Sequence, residues 1–171
     1  ISTNYIYETL GLEGQGDVIR GMPNTPAMGG EGVIAIWKNK DVADHKFKYV
    51  RDLFACLGQI EIIAEEDINA VTGISGSGPA YVFMFIEALA DGGVLMGLPR
   101  DQAYRMAAQT LIGSAKMYLD TRTHPGQLKD MVCSPGGTTI EAVYALERQQ
   151  FRAAIMEAVR ACAQKEEELS K

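Results

Sequence analysis

Residues 79 to 98 read P-A-Y-V-F-M-F-I-E-A-L-A-D-G-G-V-L-M-G-L, and Glu87 and Asp91 are the only charges among them. Twenty nearly uncharged residues are long enough to span a bilayer. Two acids and the Gly92-Gly93 pair interrupt the run, and acids are costly in hydrocarbon, so a membrane span is not expected. A helix apolar on every side is instead buried in protein all round. In a chain of 171 residues that degree of burial calls for a second subunit.

Helical spacing dominates from Glu65 onward. Asp101 to Leu119 repeats apolar positions at Tyr104, Ala107, Ala108, Leu111, Ile112, Ala115 and Leu119, which predicts an amphipathic helix. Shorter helices are expected over Gly126 to Val132 and Thr139 to Glu147, and a longer one over Phe151 to Leu169 with a charged, fraying tail.

The first third reads differently. Asp17 to Met22 and Gly32 to Trp37 are short apolar runs bounded by Gly, Pro and Asn, as buried strands are. Pro23-Asn24-Thr25-Pro26 between them is expected to be a loop, because each proline disfavours helix at the residue before it. Phe47, Val50, Phe54 and Leu57 fall on one helical face, Gly58 is placed to cap that helix, and a strand is expected over Ile60 to Ala64. A parallel sheet needs both faces covered, so so few elements suggest the trailing part of a larger α/β domain. The expected division is 1–64 for that remnant and 65–171 for a helical domain.

Composition narrows the function. With 47% apolar and 22% charged residues the chain is globular, and 16 Lys and Arg against 22 Asp and Glu leave no basic surface for nucleic acid. Cys56, Cys133 and Cys162 lie far apart without a C-x-x-C, so neither a disulfide framework nor a zinc knuckle is expected, and a reducing cytoplasm fits. His45 and His124 alone make a His-rich metal site and a Ser-His-Asp triad improbable, and no bound metal is expected. The chain opens on Ile1 with no secretory leader pattern and is expected to belong to a longer protein.

Two glycine-rich segments stand out. Gly76-Ser77-Gly78 begins like a dinucleotide fingerprint, but Tyr81 occupies the third glycine position, and Gly11, Gly14 and Gly16 have the wrong spacing. It reads either as a tight loop feeding a helix whose first position is Pro79, or as a place where a ligand lies close over Ser75 to Gly78. Cys133 to Thr139 (C-S-P-G-G-T-T) joins two short helices and runs into the second, whose unpaired amides favour an anion such as a phosphate or carboxylate. The plainer reading is an N-cap by Thr138 with no ligand. Met84, Met96, Met106 and Met117 read as core filling, and Glu65-Glu66-Asp67 as a solvated acidic cap or linker. Lys129 and Arg122 either balance a carboxylate or face water, and His124 is a poor acid candidate.

Taken together, 124–130 (H-P-G-Q-L-K-D), 133–142 (C-S-P-G-G-T-T-I-E-A), 67–81 (D-I-N-A-V-T-G-I-S-G-S-G-P-A-Y), 90–93 (A-D-G-G), 97–100 (G-L-P-R) and 22–26 (M-P-N-T-P) resemble the pyrroline-5-carboxylate reductase family, in its order and over essentially the whole chain. The resemblance implies a mainly α fold. A helical dimerisation domain, like the C-terminal domain of 6-phosphogluconate dehydrogenase, would follow the last strands and helix of a truncated Rossmann domain. It implies reduction of Δ1-pyrroline-5-carboxylate to L-proline, the last step of proline biosynthesis, by NADPH or NADH in the cytoplasm, by homodimers that interlock and can build larger rings. The family's glycine fingerprint and ribose-selecting loop do not occur in these residues, so the choice between NADH and NADPH is not encoded here and this stretch alone is expected to be inactive.

By the same resemblance Thr139 is the catalytic residue, its hydroxyl near the ring nitrogen. Val132, Ser134, Gly136, Gly137 and Thr138 complete the substrate pocket, with Glu65 and Thr72 on its far wall. Pro23, Asn24, Ser77 and Pro79 fall on the cofactor side, and Met131 replaces a polar residue that touches the cofactor in some relatives. The rival readings are a non-catalytic dimerisation module and a two-domain hydroxy-acid dehydrogenase. The latter calls for a catalytic lysine that Ser75 to Pro79 does not offer.

Overall fold

A computed structural model describes residues 3–12 and 16–169. They are mainly helical, with one three-stranded sheet near the N-terminus. Two compact units divide the chain, Ile1–Pro79 with Glu157–Lys171, and Ala80–Met156.

In the first unit, helix α1 (Thr3–Leu10) precedes strand β1 (Ile19–Pro23), strand β2 (Gly32–Lys38), helix α2 (Asp44–Phe54) and strand β3 (Gly58–Ile62). β2 is central. It runs antiparallel to β1, with Ile19 opposite Lys38 and Pro23 opposite Ile34, and parallel to β3, with Gly32 opposite Gly58 and Ile36 opposite Ile62. Its β-branched run places Ile34 and Ile36 at zero exposure, and β2, α2 and β3 form one βαβ unit. On α2, Phe47, Val50 and Phe54 are half-buried while Tyr49 and Leu53 are exposed, so the expected apolar face is the inner one.

Local details depart from expectation. α1 carries no signal read in the sequence, yet Gly11 at φ 64° ends it, and the Leu12 amide reaches back to the Tyr7 carbonyl at 3.0 Å. The Pro23–Pro26 loop contains the start of a 3-10 turn, Thr25–Gly29. Pro26 is tolerated there because the first turn of a helix leaves its N–H groups unpartnered anyway. Gly58 does not cap α2, which closes through a 3-10 turn, Ala55–Leu57. Instead Gly58 opens β3 at φ 140°, where a Cβ would lie 2.0 Å from the Gly32 carbonyl oxygen. That close approach starts β3 two residues before the expected Ile60.

Gly76-Ser77-Gly78, read as a tight loop into a helix or as a place of close ligand approach, is a bend at Ser77 between two helical turns. After a 3-10 turn, Glu65–Asp67, helix α3 (Ile68–Val71) passes through a π-helical turn, Thr72–Gly76, into helix α4 (Gly78–Leu95). Pro79 lies in the first turn of α4, where its missing N–H is cheap. Gly73 permits this path, since its Cβ would be 2.8 Å from the Val159 carbonyl oxygen of helix α8 (Phe151–Leu169). Within the first unit, α8 therefore lies directly against the π turn.

The second unit holds most of α4, then α5 (Arg100–Thr121), α6 (Pro125–Val132), α7 (Thr138–Arg148) and the start of α8. Its buried centre is small: Ala90 of α4 against Ala103 and Ala107 of α5, flanked by Ile86 and Val94. Phe85 and Phe151 add a tilted ring contact at 5.9 Å. The large side chains point away from this seam, and Phe83, Met84, Leu89, Leu95, Met96, Met106 and Ile112 are all exposed. Residues 65–95 form a helical stretch long and apolar enough to cross a membrane by length and composition.

Gly58→Ala is expected to destabilise the chain by about 3 kcal/mol or more, because the new methyl meets backbone rather than a movable side chain. Urea unfolding followed by circular dichroism reads this out, and a loss below about 1 kcal/mol would mean that β2 and β3 can separate cheaply at Gly32.

Candidate active site

The expected site residues fall into two groups, one in each unit. The second unit holds Met131, Val132, Ser134, Gly136, Gly137, Thr138 and Thr139 on one helix–turn–helix. α6 begins at His124, whose Nδ1 accepts from the Gly126 amide at 3.0 Å, so that imidazole is an N-cap. α6 ends at Cys133. A tight turn follows, in which the Gly137 amide donates to the Ser134 carbonyl at 3.0 Å. Pro135 and a left-handed Gly136 at φ 67° occupy its two central positions, as a type II turn requires. Gly137 then caps α7 in place of the expected Thr138, which becomes the first helical residue. A Cβ on Gly137 would sit 2.2 Å from Ser134 Oγ and 3.1 Å from the Ser134 carbonyl oxygen, so the turn has no room for a side chain there.

Among the described residues, no side chain caps this helix start. The leading amides of α7 are thus left to solvent or to a ligand, with the helix dipole adding to their positive end. Thr139 is half-buried in the first turn, whereas Met131, Val132, Ser134 and Thr138 are exposed. Among the described residues, the nearby cationic side chains are engaged elsewhere. Lys129 Nζ is 2.5 Å from Asp130 Oδ1, which holds its ammonium above the ordinary lysine range through that hydrogen bond. Arg122 closes α5 in the left-handed conformation, and Arg152 pairs with Glu147 at 2.7 Å.

In the first unit the structure joins the end of β1 to the π turn. Asn24 Oδ1 accepts from the Val33 amide at 2.9 Å, and its Nδ2 donates to the Ser75 carbonyl at 3.0 Å. One N–H and one lone pair remain on that carboxamide. Thr72 Oγ1 donates to the Ile68 carbonyl at 2.8 Å and lies 3.2 Å from Met22 Sδ. Ser77 Oγ is 3.0 Å from Cys162 Sγ of α8. Pro23 ends β1, and Pro79 follows Ser77 in the first turn of α4. Glu65 is not the solvated cap expected: the Thr3 amide and hydroxyl donate to its carboxylate, and Arg20 lies 3.9 Å away.

Sequence reasoning gave no role to Gly73 or Cys162, and read Ser75 only as part of a segment over which a ligand could lie. A glycine inside a helical run signals close backbone approach, so Gly73 carried a usable signal. Nothing near Cys162 did.

The family model described as pyrroline-5-carboxylate reductase dimerisation matches residues 65–169. The pyrroline-5-carboxylate reductase of Escherichia coli strain K12 is 57% identical over 154 residues, covering 90% of this chain and 57% of its own length. That of Arabidopsis thaliana is 50% identical over 157 residues, covering 92% and 57% respectively. Among solved structures, a Coxiella burnetii pyrroline-5-carboxylate reductase superimposes at a TM-score of 0.93 with 33% identity, over 99% of this chain and 63% of that one. The Plasmodium falciparum pyrroline carboxylate reductase, solved with NADP bound, gives 0.89 with 39% identity, over 96% and 66%. The chain thus spans a little over half the length of the curated relatives quoted. With its helical half matched end to end and its fold shared, the chain belongs to the pyrroline-5-carboxylate reductase family.

Proposed function

We propose that the chain supplies the substrate-binding and dimer-forming part of a pyrroline-5-carboxylate reductase, an oxidoreductase that makes L-proline from Δ1-pyrroline-5-carboxylate in the cytoplasm. The observation that supports this most directly is the uncapped start of α7, presented by a turn in which neither Gly136 nor Gly137 has room or conformation for a side chain. The substrate is a small ring with a carboxylate and an imine. Backbone amides at Thr138 and Thr139 suit the carboxylate, and Lys129 is already paired with Asp130. The Thr139 hydroxyl sits one turn-residue further on and is assigned to the ring nitrogen, where it holds the proton and orients the imine. Val132, Ser134, Gly136, Gly137, Glu65 and Thr72 are assigned to substrate contact.

The nicotinamide cofactor, NADPH or NADH, supplies the hydride when bound. Pro23, Asn24, Ser77, Pro79 and Met131 are assigned to its nicotinamide end, a role that the spare N–H and lone pair of Asn24 can fill. These residues do not fit the pyrophosphate, for which the sequence holds no G-x-G-x-x-G. We therefore expect the 171 residues by themselves to be inactive. The domain division proposed is 1–64 and 65–171.

A second copy of the chain, rather than lipid or nucleic acid, is proposed to cover the exposed face of α4 and α5. Apolar surface of this extent is uncommon on monomers. Glu87 and Asp91 lie in the same helix, and Asp91 is held by Arg100. A ring of such dimers is compatible with this arrangement.

Sedimentation of the 171-residue chain is expected to give a dimer at micromolar concentration, and Phe83→Glu to weaken it at least tenfold. A monomeric chain at that concentration, or one that partitions into vesicles, would sink the proposed partner. In the protein extended to the relatives' full length, Thr139→Ala is expected to lower kcat/KM for the pyrroline substrate about 10- to 100-fold, the loss of one oriented hydrogen bond of about 1.5–3 kcal/mol. Lys129→Met is expected to change KM less than about twofold, since Lys129 already faces Asp130. Equal losses in the two variants would move the carboxylate from the amides to the lysine.

A further inference from the structure

The Ser75 carbonyl has a specific difficulty. In α-helical spacing a carbonyl is met by the amide four residues on, and residue 79 is proline, which has none, whereas the π turn's own amide bond runs five residues back, from Ser77 to Thr72. The structure supplies a donor from elsewhere, Asn24 Nδ2 at 3.0 Å, while Asn24 Oδ1 is fixed by the Val33 amide at the start of β2. The same turn is restrained on its far side by α8, through the close approach of Val159 to Gly73 and the contact of Ser77 with Cys162. Thr72 opens the turn and Ser77 follows it, its amide bonded to the Thr72 carbonyl at 2.8 Å.

We propose that Asn24 is a positioning residue for the reaction: it replaces the donor missing at Pro79 and so latches the π turn, with Thr72 and Ser77 on it, to the central strand. The proposal rests on the reading of Thr72 and Ser77 as ligand contacts and goes beyond it, because Asn24 acts here through the Ser75 carbonyl whether or not it also touches cofactor. A half-buried side chain with both ends committed transmits any movement of the β1–β2 connection to the turn.

Two variants separate the latch from general damage. Asn24→Ala removes both bonds, whereas Asn24→Asp keeps the acceptor for Val33 and loses only the donor to Ser75. In the 171-residue chain, amide exchange at Ser77 is expected to accelerate about tenfold in both variants, with Ile34 and Ile36 of β2 unchanged. Adding Pro79→Ala returns an N–H at position 79 and is expected to restore Ser77 protection in the Asn24→Ala background. Unchanged exchange at Ser77 in Asn24→Asp, or no recovery in the double variant, overturns the latch. In the protein at the relatives' full length, both single variants are expected to lose kcat about tenfold, with a much smaller change in substrate KM. Wild-type kcat in Asn24→Asp alongside a loss in Asn24→Ala would show that the Ser75 bond does not serve catalysis. A parent protein that reduces no pyrroline substrate would remove the functional reading, while the exchange results still decide the latch.

Discussion

Helix α4 sets the terms for the helical part of this protein. Its inward contact is made by small residues: Ala90 meets Ala103 and Ala107, and a methyl at Gly93 would already crowd Ala103 and Leu98 at 3.3 Å. Small side chains let two helices approach closely but bury little apolar area each. The large residues that could stabilise a core, Phe83, Met84, Leu89 and Met96, are turned outward instead. A single copy therefore leaves these large apolar side chains exposed, which is the face assigned above to a proposed second copy.

That constraint also explains why the candidate substrate site is made of backbone. A helix start closed by a type II turn at Pro135 and Gly136 has its geometry fixed by local rules, with little demand on a surrounding core. Glycine at 137 keeps the approach open. Lys129 is paired with Asp130 and Arg152 with Glu147, so the dipole and leading amides of α7, set against the Glu141 carboxylate in its first turn, decide the local preference for an anion.

Much of this was legible in the sequence, for identifiable reasons. β2 could be read from its run of β-branched residues, and the face of α2 from the spacing of Phe47, Val50 and Phe54. Periodicity of that kind reflects burial, and burial is what a pattern of apolar residues reports. The elements that escaped depend on pair geometry between distant residues. Gly58 resembles a helix cap locally and is a strand start only because Gly32 lies against it. Gly76-Ser77-Gly78 resembles a loop, yet helical turns run up to Gly76 and on from Gly78 around a bend at Ser77, with α8 packed on Gly73 and Asn24 supplying Ser75 with a donor from some fifty residues away. In the candidate site, the glycines and threonines of 134–139 announced themselves by composition. The tie of Glu65 to Thr3 and Arg20 had no local signature.

The π turn has a consequence for how the chain tolerates insertion and deletion. Such a turn is an α-helix carrying one surplus residue, and an α-helix advances about 100° for each residue. Deleting one residue between Thr72 and Gly76 would leave every downstream side chain of α4 chemically unchanged and the helix itself more regular. It would also turn Ser77 away from Cys162 and bring a different carbonyl to Asn24 Nδ2, undoing the contacts that hold the turn within the first unit. Length across these five positions is therefore under tighter constraint than composition, and a shortened turn would be expected to survive only if its contacts with Asn24 and α8 were rebuilt with it.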